Sequence, residues 1–145
     1  MLLNQRHTFS RSVMGFMLCA LIVILGTISS ASAEDDLASP APLVLVMLGD
    51  SITAGKGLPE DEILPIKLQE WLTQQGHAIE IRNAGISGDT TAGGRERIDW
   101  SVDEDVDAVM VALGGNDLLR AIDPRETEQN LDSIVQQLKA KDVQV

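Results

Sequence analysis

A single cysteine, two histidines and half as many basic as acidic side chains are the scarcities of this 145-residue chain. Cys19 lies in an apolar run near the N-terminus. A lone thiol there excludes an intrachain disulfide and leaves no thiolate metal site in the remainder of the chain. Phe16-Met17-Leu18 lack the small side chains expected before a lipid-modified cysteine, so Cys19 reads as one more apolar residue. Eleven basic side chains against 22 acidic ones give a formal charge of −11. Such a surface repels nucleic acid and anionic lipid headgroups, so neither is an expected partner. No internal repeat or low-complexity tract is present, and the length allows one domain rather than two.

What is present begins with an export signature. Arg6 and Arg11 precede the apolar run Val13 to Ile28, and small residues ending in Ala31-Ser32-Ala33 follow. That order marks residues 1–33 as a secretory signal peptide, cleaved near Ala33 to leave a periplasmic or secreted protein. The competing reading is an uncleaved anchor, because the run approaches the roughly 18 apolar residues of a spanning helix. The placement of the small residues favours cleavage, with no stable membrane insertion afterwards. Cleavage removes Arg6 and Arg11 and leaves nine basic against 22 acidic side chains. Residues 34–42, with prolines at 40 and 42, read as a flexible lead-in to a domain over 43–145.

Leu43 to Leu48 is apolar throughout, as suits a strand buried on both faces of a parallel sheet, and it stops at Gly49. Ile63 to Gln75 is helical in period, with apolar residues at 63, 64, 68, 71 and 72, Pro65 near the first turn and Gly76 beyond the end. Trp71 is expected in that helix's core stripe. A short strand, Ala78 to Arg82, follows. Thr90 to Trp100 holds a second helix, although Gly93 and Gly94 each cost about 1 kcal/mol relative to alanine, and Trp100 is expected to pack it against the sheet. Asp103, Glu104, Asp105 and Asp107 form a solvated loop. A calcium loop is excluded there, since its sixth and twelfth positions fall on Ala108 and Gly114. Ala108 to Leu113 is again a buried strand. Asp123 caps a helix starting at Pro124, with Glu126 as a box-like partner, an apolar stripe of Leu131, Ile134, Val135 and Leu138, and Lys139 and Lys141 at its end. Val143-Gln144-Val145 looks like the start of a fourth strand. Strictly alternating strands and helices require right-handed crossovers, giving an open parallel sheet with helices on both faces.

Three glycine-containing polar clusters each follow a predicted strand: Gly49-Asp50-Ser51, Gly85-Ile86-Ser87-Gly88-Asp89 and Gly114-Gly115-Asn116-Asp117. Ligand crevices of open α/β sheets lie at the carboxyl ends of the strands, so the clusters should converge. A serine at the tip of a strand-to-turn junction is exposed enough to attack an acyl group, which makes Ser51 the candidate nucleophile. Negative charge developing on the attacked carbonyl oxygen needs fixed donors about 2.7–3.1 Å away. The backbone N–H groups of Ser51 and Gly88 and the Asn116 side-chain amide suit that task, the amide because it brings no charge to desolvate. Each cluster alone is a common turn sequence. Gly55-Lys56 fails as a phosphate loop at both ends, with Asp50 and Gly57 at the defining positions.

In order and placement, Gly49-Asp50-Ser51, Gly88 and Gly114-Gly115-Asn116-Asp117 resemble the first three sequence blocks of the SGNH (GDSL-like) hydrolase superfamily. Ile86 to Thr91 and Leu113 to Asp117 further resemble its bacterial periplasmic branch of thioesterase I, lysophospholipase and arylesterase. The resemblance spans Leu43 to Val145 and implies a flavodoxin-like three-layer α/β/α fold, incomplete at the C-terminus. It implies Ser51 as nucleophile, Ser51 N–H, Gly88 and Asn116 as oxyanion hole, Asp50 and Asp117 as loop organisers, no metal or organic cofactor, and a small ester, thioester or lysophospholipid as substrate. The family's base is a histidine in an Asp-x-x-His block, which these 145 residues do not contain. His7 falls in the signal segment, and His77 precedes the second strand, at the wrong end of the sheet. Two readings follow: a secreted serine esterase acting through an acyl-serine, or an inactive truncated fragment or non-catalytic binding domain. In the second reading the strand at 108–113 is a bare apolar edge and an aggregation hazard.

Overall fold

A computed structural model describes residues 41–145, so the signal segment and most of the lead-in fall outside the described residues. Three parallel strands form the sheet: β1 (Leu43–Gly49), β2 (Ile79–Gly85) and β3 (Ala108–Ala112), in the order β2-β1-β3. β1 is central. Its even residues Val44, Val46 and Leu48 and its odd residue Met47 are all buried, on opposite faces, which is why its sequence shows no polar alternation.

The chain runs from β1 to one neighbour and then crosses to the other, so right-handed crossovers place the connecting helices on opposite faces. The first connection contains α1 (Ser51–Ala54), a 3₁₀ turn at Glu60–Glu62 and α2 (Leu64–Gln74), which packs on β2. The second contains α3 (Thr91–Glu96) and α4 (Ile98–Ser101). After β3 come α5 (Gly115–Leu119) and α6 (Pro124–Ala140). Ile98, Val102 and Val106 join Ile134 and Leu138 of α6 over Val44, Val46, Leu48 and Val109, making the main core. The apolar stripe of α6 is as expected: Ile134 and Leu138 are buried and Leu131 and Val135 half-buried. Asp123 caps it by accepting the Arg125 N–H at 2.9 Å.

Several expectations need correction. β2 reaches Gly85, three residues beyond the expected end, because IEIRNAG is half-buried nearly throughout and lacks the apolar signal of a central strand. The helix expected over 90–100 is two short helices that break at Arg97, and not at Gly93-Gly94. Trp71 and Trp100 are 57% and 66% exposed and pack in no core. The buried side of α2 centres on Pro65, Leu68, Gln69 and Leu72, and at about 100° per residue Trp71 falls on its flank.

The sheet's edges differ. On β2, the Gln69 side chain mimics a neighbouring strand, accepting the Ile81 N–H at 2.7 Å and donating to the Ile79 carbonyl at 3.2 Å. On β3, Gln144 forms a parallel bridge to Ala108, accepts the Val109 N–H at 2.8 Å and donates to the Asp107 carbonyl at 3.0 Å, as expected of a fourth strand's start. Beyond that bridge Met110 is 43% exposed.

Candidate active site

Order β2-β1-β3 reverses direction at β1, so the loops leaving β1 and β3 diverge and open a crevice at the carboxyl end of the sheet. All three polar clusters lie at that end. Ser51 begins α1 immediately after β1 and is half-buried. The turn holding it is tightly packed. Asp50 caps α1 by accepting the Ile52 N–H at 3.0 Å. Gly85, at the end of β2, lies against the Thr53–Ala54 backbone, where even a methyl group would overlap. Ile52, beside Ser51, is 73% exposed.

Gly88 has φ +86°, a left-handed conformation that favours glycine. Its turn is closed by the Asp89 N–H donating to the Ile86 carbonyl at 3.1 Å, and Arg120 Nη2 donates to the Gly88 carbonyl at 2.6 Å. Asn116 lies in the first turn of α5. Its Nδ2 donates to the Asp89 carbonyl at 2.8 Å and to Asp50 Oδ2 at 3.2 Å, so one amide links all three clusters. Both of its hydrogens therefore have acceptors in the protein, whereas the sequence suggested a donor ready for substrate. Donation to an oxyanion requires the longer bond, to Asp50, to give way.

Asp117 is 1% exposed and accepts from both the backbone N–H and the hydroxyl of Thr91. Asn130 of α6 donates to that same hydroxyl oxygen at 3.2 Å and accepts from Arg95 at 2.7 Å. The aspartate thus ties α5 to the start of α3 and so to the Gly88 turn. Asp50 and Asp117 each accept one backbone N–H, from Ile52 and from Thr91.

Sequence reasoning missed Arg97. Its guanidinium is buried between α3 and α4, with Nε 2.7 Å from Asp89 Oδ2, Nη2 donating to the Gly49 carbonyl at 3.0 Å and Nη1 to Ser101 Oγ at 3.3 Å. The only local hint is a second basic residue, two after Arg95, in a stretch read simply as a helix. His77 is exposed in the segment before β2, at the opposite end of the sheet from Ser51. The structure therefore brings together Ser51, Gly88, Asn116, Asp50 and Asp117, and keeps the one described histidine away from them.

The chain is similar to known proteins in sequence and in fold. The model of the GDSL-like Lipase/Acylhydrolase family matches residues 47–145. Esterase TesA of Pseudomonas aeruginosa is 40% identical over 106 residues, covering 72% of this chain and 53% of that protein. The thioesterase 1/protease 1/lysophospholipase L1 of Escherichia coli K12 is 34% identical over 122 residues, covering 83% of this chain and 52% of that protein. Among solved structures, AlinE4, an SGNH-hydrolase family esterase, superimposes with a TM-score of 0.67 at 42% identity, over 70% of this chain and 56% of that one. The chain spans about half the length of the curated relatives it matches.

Proposed function

The chain belongs to the GDSL-like lipase/acylhydrolase family, and from that membership we propose that it carries the nucleophile and oxyanion-binding part of an exported serine esterase. The observation that carries this reading is the Asn116 amide, bonded to Asp50 beside Ser51 and to Asp89 beside Gly88. Three groups so linked can address one carbonyl.

In the proposed reaction, Ser51 Oγ bonds to the carbonyl carbon of an ester or thioester, and the carbonyl π electrons move onto oxygen. The Ser51 and Gly88 N–H groups and one Asn116 hydrogen stabilise that oxyanion. Its collapse breaks the bond to the alkoxide or thiolate and leaves an acyl-Ser51, which water hydrolyses. Acyl thioesters, lysophospholipids and small aryl esters are the substrates proposed, and the names of the relatives support that range. Residues 1–33 are proposed as a cleaved signal and 34–42 as a lead-in, on their sequence pattern, with a periplasmic or secreted product.

The Ser51 proton needs a base, and the Asp-x-x-His block that would supply it does not occur in residues 1–145. Losing a triad histidine costs on the order of 10⁶ in kcat, so these residues by themselves are proposed to be nearly inactive. The second reading is a non-catalytic domain that keeps the fold. A fluorophosphonate probe, offered with imidazole as a diffusible base, separates the two. The esterase reading expects the adduct on the Ser51 peptide and its loss in Ser51→Ala. A folded chain that stays unlabelled favours the binding domain.

A further inference from the structure

We propose that Arg97 is a positioning residue that fixes the spacing between the Ser51 turn and the Gly88 turn, a role that rests on the reading of those two residues above. A guanidinium at 4% side-chain exposure has lost its hydration and must be paired. One carboxylate would neutralise it. Instead, besides its bond to Ser101, its fork spans two acceptors far apart in the chain: the Asp89 carboxylate, one residue after Gly88, and the Gly49 carbonyl at the end of β1, two residues before Ser51. A planar guanidinium holds two acceptors at a set separation, which an ammonium on a flexible stem does not.

Both acceptors are held by other bonds as well, so the fork closes a frame. Asp89 Oδ1 accepts the Thr90 N–H at 3.1 Å, and its carbonyl accepts Asn116 Nδ2. The Gly49 carbonyl also accepts the Ile86 N–H at 3.0 Å, which anchors the other side of the Gly88 turn to β1. A side chain at Gly93 would collide with the Asp89 carboxylate, so glycine at the start of α3 makes room for the ion pair. The break between α3 and α4 falls at Arg97 itself, where the backbone leaves helical geometry while the side chain points inward. With its guanidinium bonded to Asp89, Gly49 and Ser101, Arg97 acts through the two turns: it sets where the Gly88 N–H stands relative to the Ser51 hydroxyl.

The test compares wild type with Arg97→Lys, which keeps the charge but reaches one acceptor, and with the double variant Asp89→Asn/Arg97→Met, which removes both charges and leaves no buried ion unpaired. Fluorophosphonate labelling with imidazole, followed to saturation, separates the maximal rate from probe affinity. Hydrogen exchange at the Gly88 N–H and the Asn116 amide is followed by NMR in the same proteins. A positioning role lowers the maximal labelling rate roughly tenfold or more at unchanged probe affinity, least in Arg97→Lys, and speeds exchange at those two amides. Folded variants with wild-type labelling and exchange overturn the proposal. If Ser51 is unlabelled even in wild type, the esterase reading fails, and faster exchange at Gly88 and Asn116 still supports the clamp, whereas unchanged exchange rejects it.

Discussion

The two ends of the sheet use the same kinds of polar group at different depths. At the carboxyl end, Arg97 and Asp89 pair with side chains 4% and 12% exposed, and Asp117 holds Thr91 at 1% exposure. Towards the amino end, Arg82 pairs with Asp105, Glu80 and, at 4.0 Å, Asp103, all more exposed, with Asp105 at 58%. Depth decides what a charge does. A buried pair is no source of stability over an apolar core, but losing one partner strands the other, so the geometry is enforced. An exposed pair is screened and gives way to water. The buried charges at the end that carries Ser51 therefore enforce their geometry, whereas the Arg82 ion pairs are replaceable.

The sharpest way to break that contrast is Asp117→Ala. It strands the N–H and hydroxyl of Thr91 in a dry interior, where each unsatisfied group costs about 1–3 kcal/mol. A loss of about 3 kcal/mol in urea unfolding is expected; a loss under 1 kcal/mol would show that water or a rearrangement replaces the carboxylate. Gly88→Ala comes next. No atom crowds the added methyl, the nearest being Arg120 Nη2 at 3.6 Å, so the cost is backbone strain at φ +86°. About 1–2 kcal/mol is expected, together with slower labelling of Ser51, and a change in neither would mean the turn does not need that conformation.

The smallest effect belongs to the amino end. The Arg82 hydrogen bonds hold the Asp105 carboxyl below its ordinary value. A lowered carboxylate value contributes stability that is complete above the ordinary carboxylate range and is lost as pH falls through the lowered value. Arg82→Gln should therefore flatten the acid side of the stability profile slightly, and only at low salt, in urea melts between neutral and acid pH. A large, salt-independent loss would show that this end is as tightly built as the other.

Much of this frame was legible in the sequence, for reasons that also mark the limit. β1 announces itself because a central strand is apolar on both faces, β3 because its run is apolar throughout although it lies at the sheet's edge, and α6 because its stripe repeats at helical period. The strand-end positions of Ser51, Gly88 and Asn116 follow from the alternation of elements. β2 was read short because an edge strand can afford the polar residues of IEIRNAG. The tryptophans were misplaced because apolar character at a helical position does not say which flank meets the sheet. Asp107 was read as part of a solvated loop, yet its carboxylate accepts the Val44 N–H at 2.7 Å and ties that loop to β1. Arg97 was invisible for a related reason. Its partners are a carboxylate eight residues earlier and a carbonyl on another strand, and only the folded chain brings those together.

The central claim is that one carbonyl can be attacked by Ser51 while its oxygen is held by groups at 88 and 116. A crystal structure of the phosphonate adduct of Ser51 addresses it directly. The expected result places the phosphoryl oxygen about 2.7–3.1 Å from the Gly88 nitrogen and Asn116 Nδ2, with the Asn116 contact to Asp50 released. An adduct whose oxygen points to solvent, with Asn116 still bonded to both Asp50 and Asp89, would contradict it.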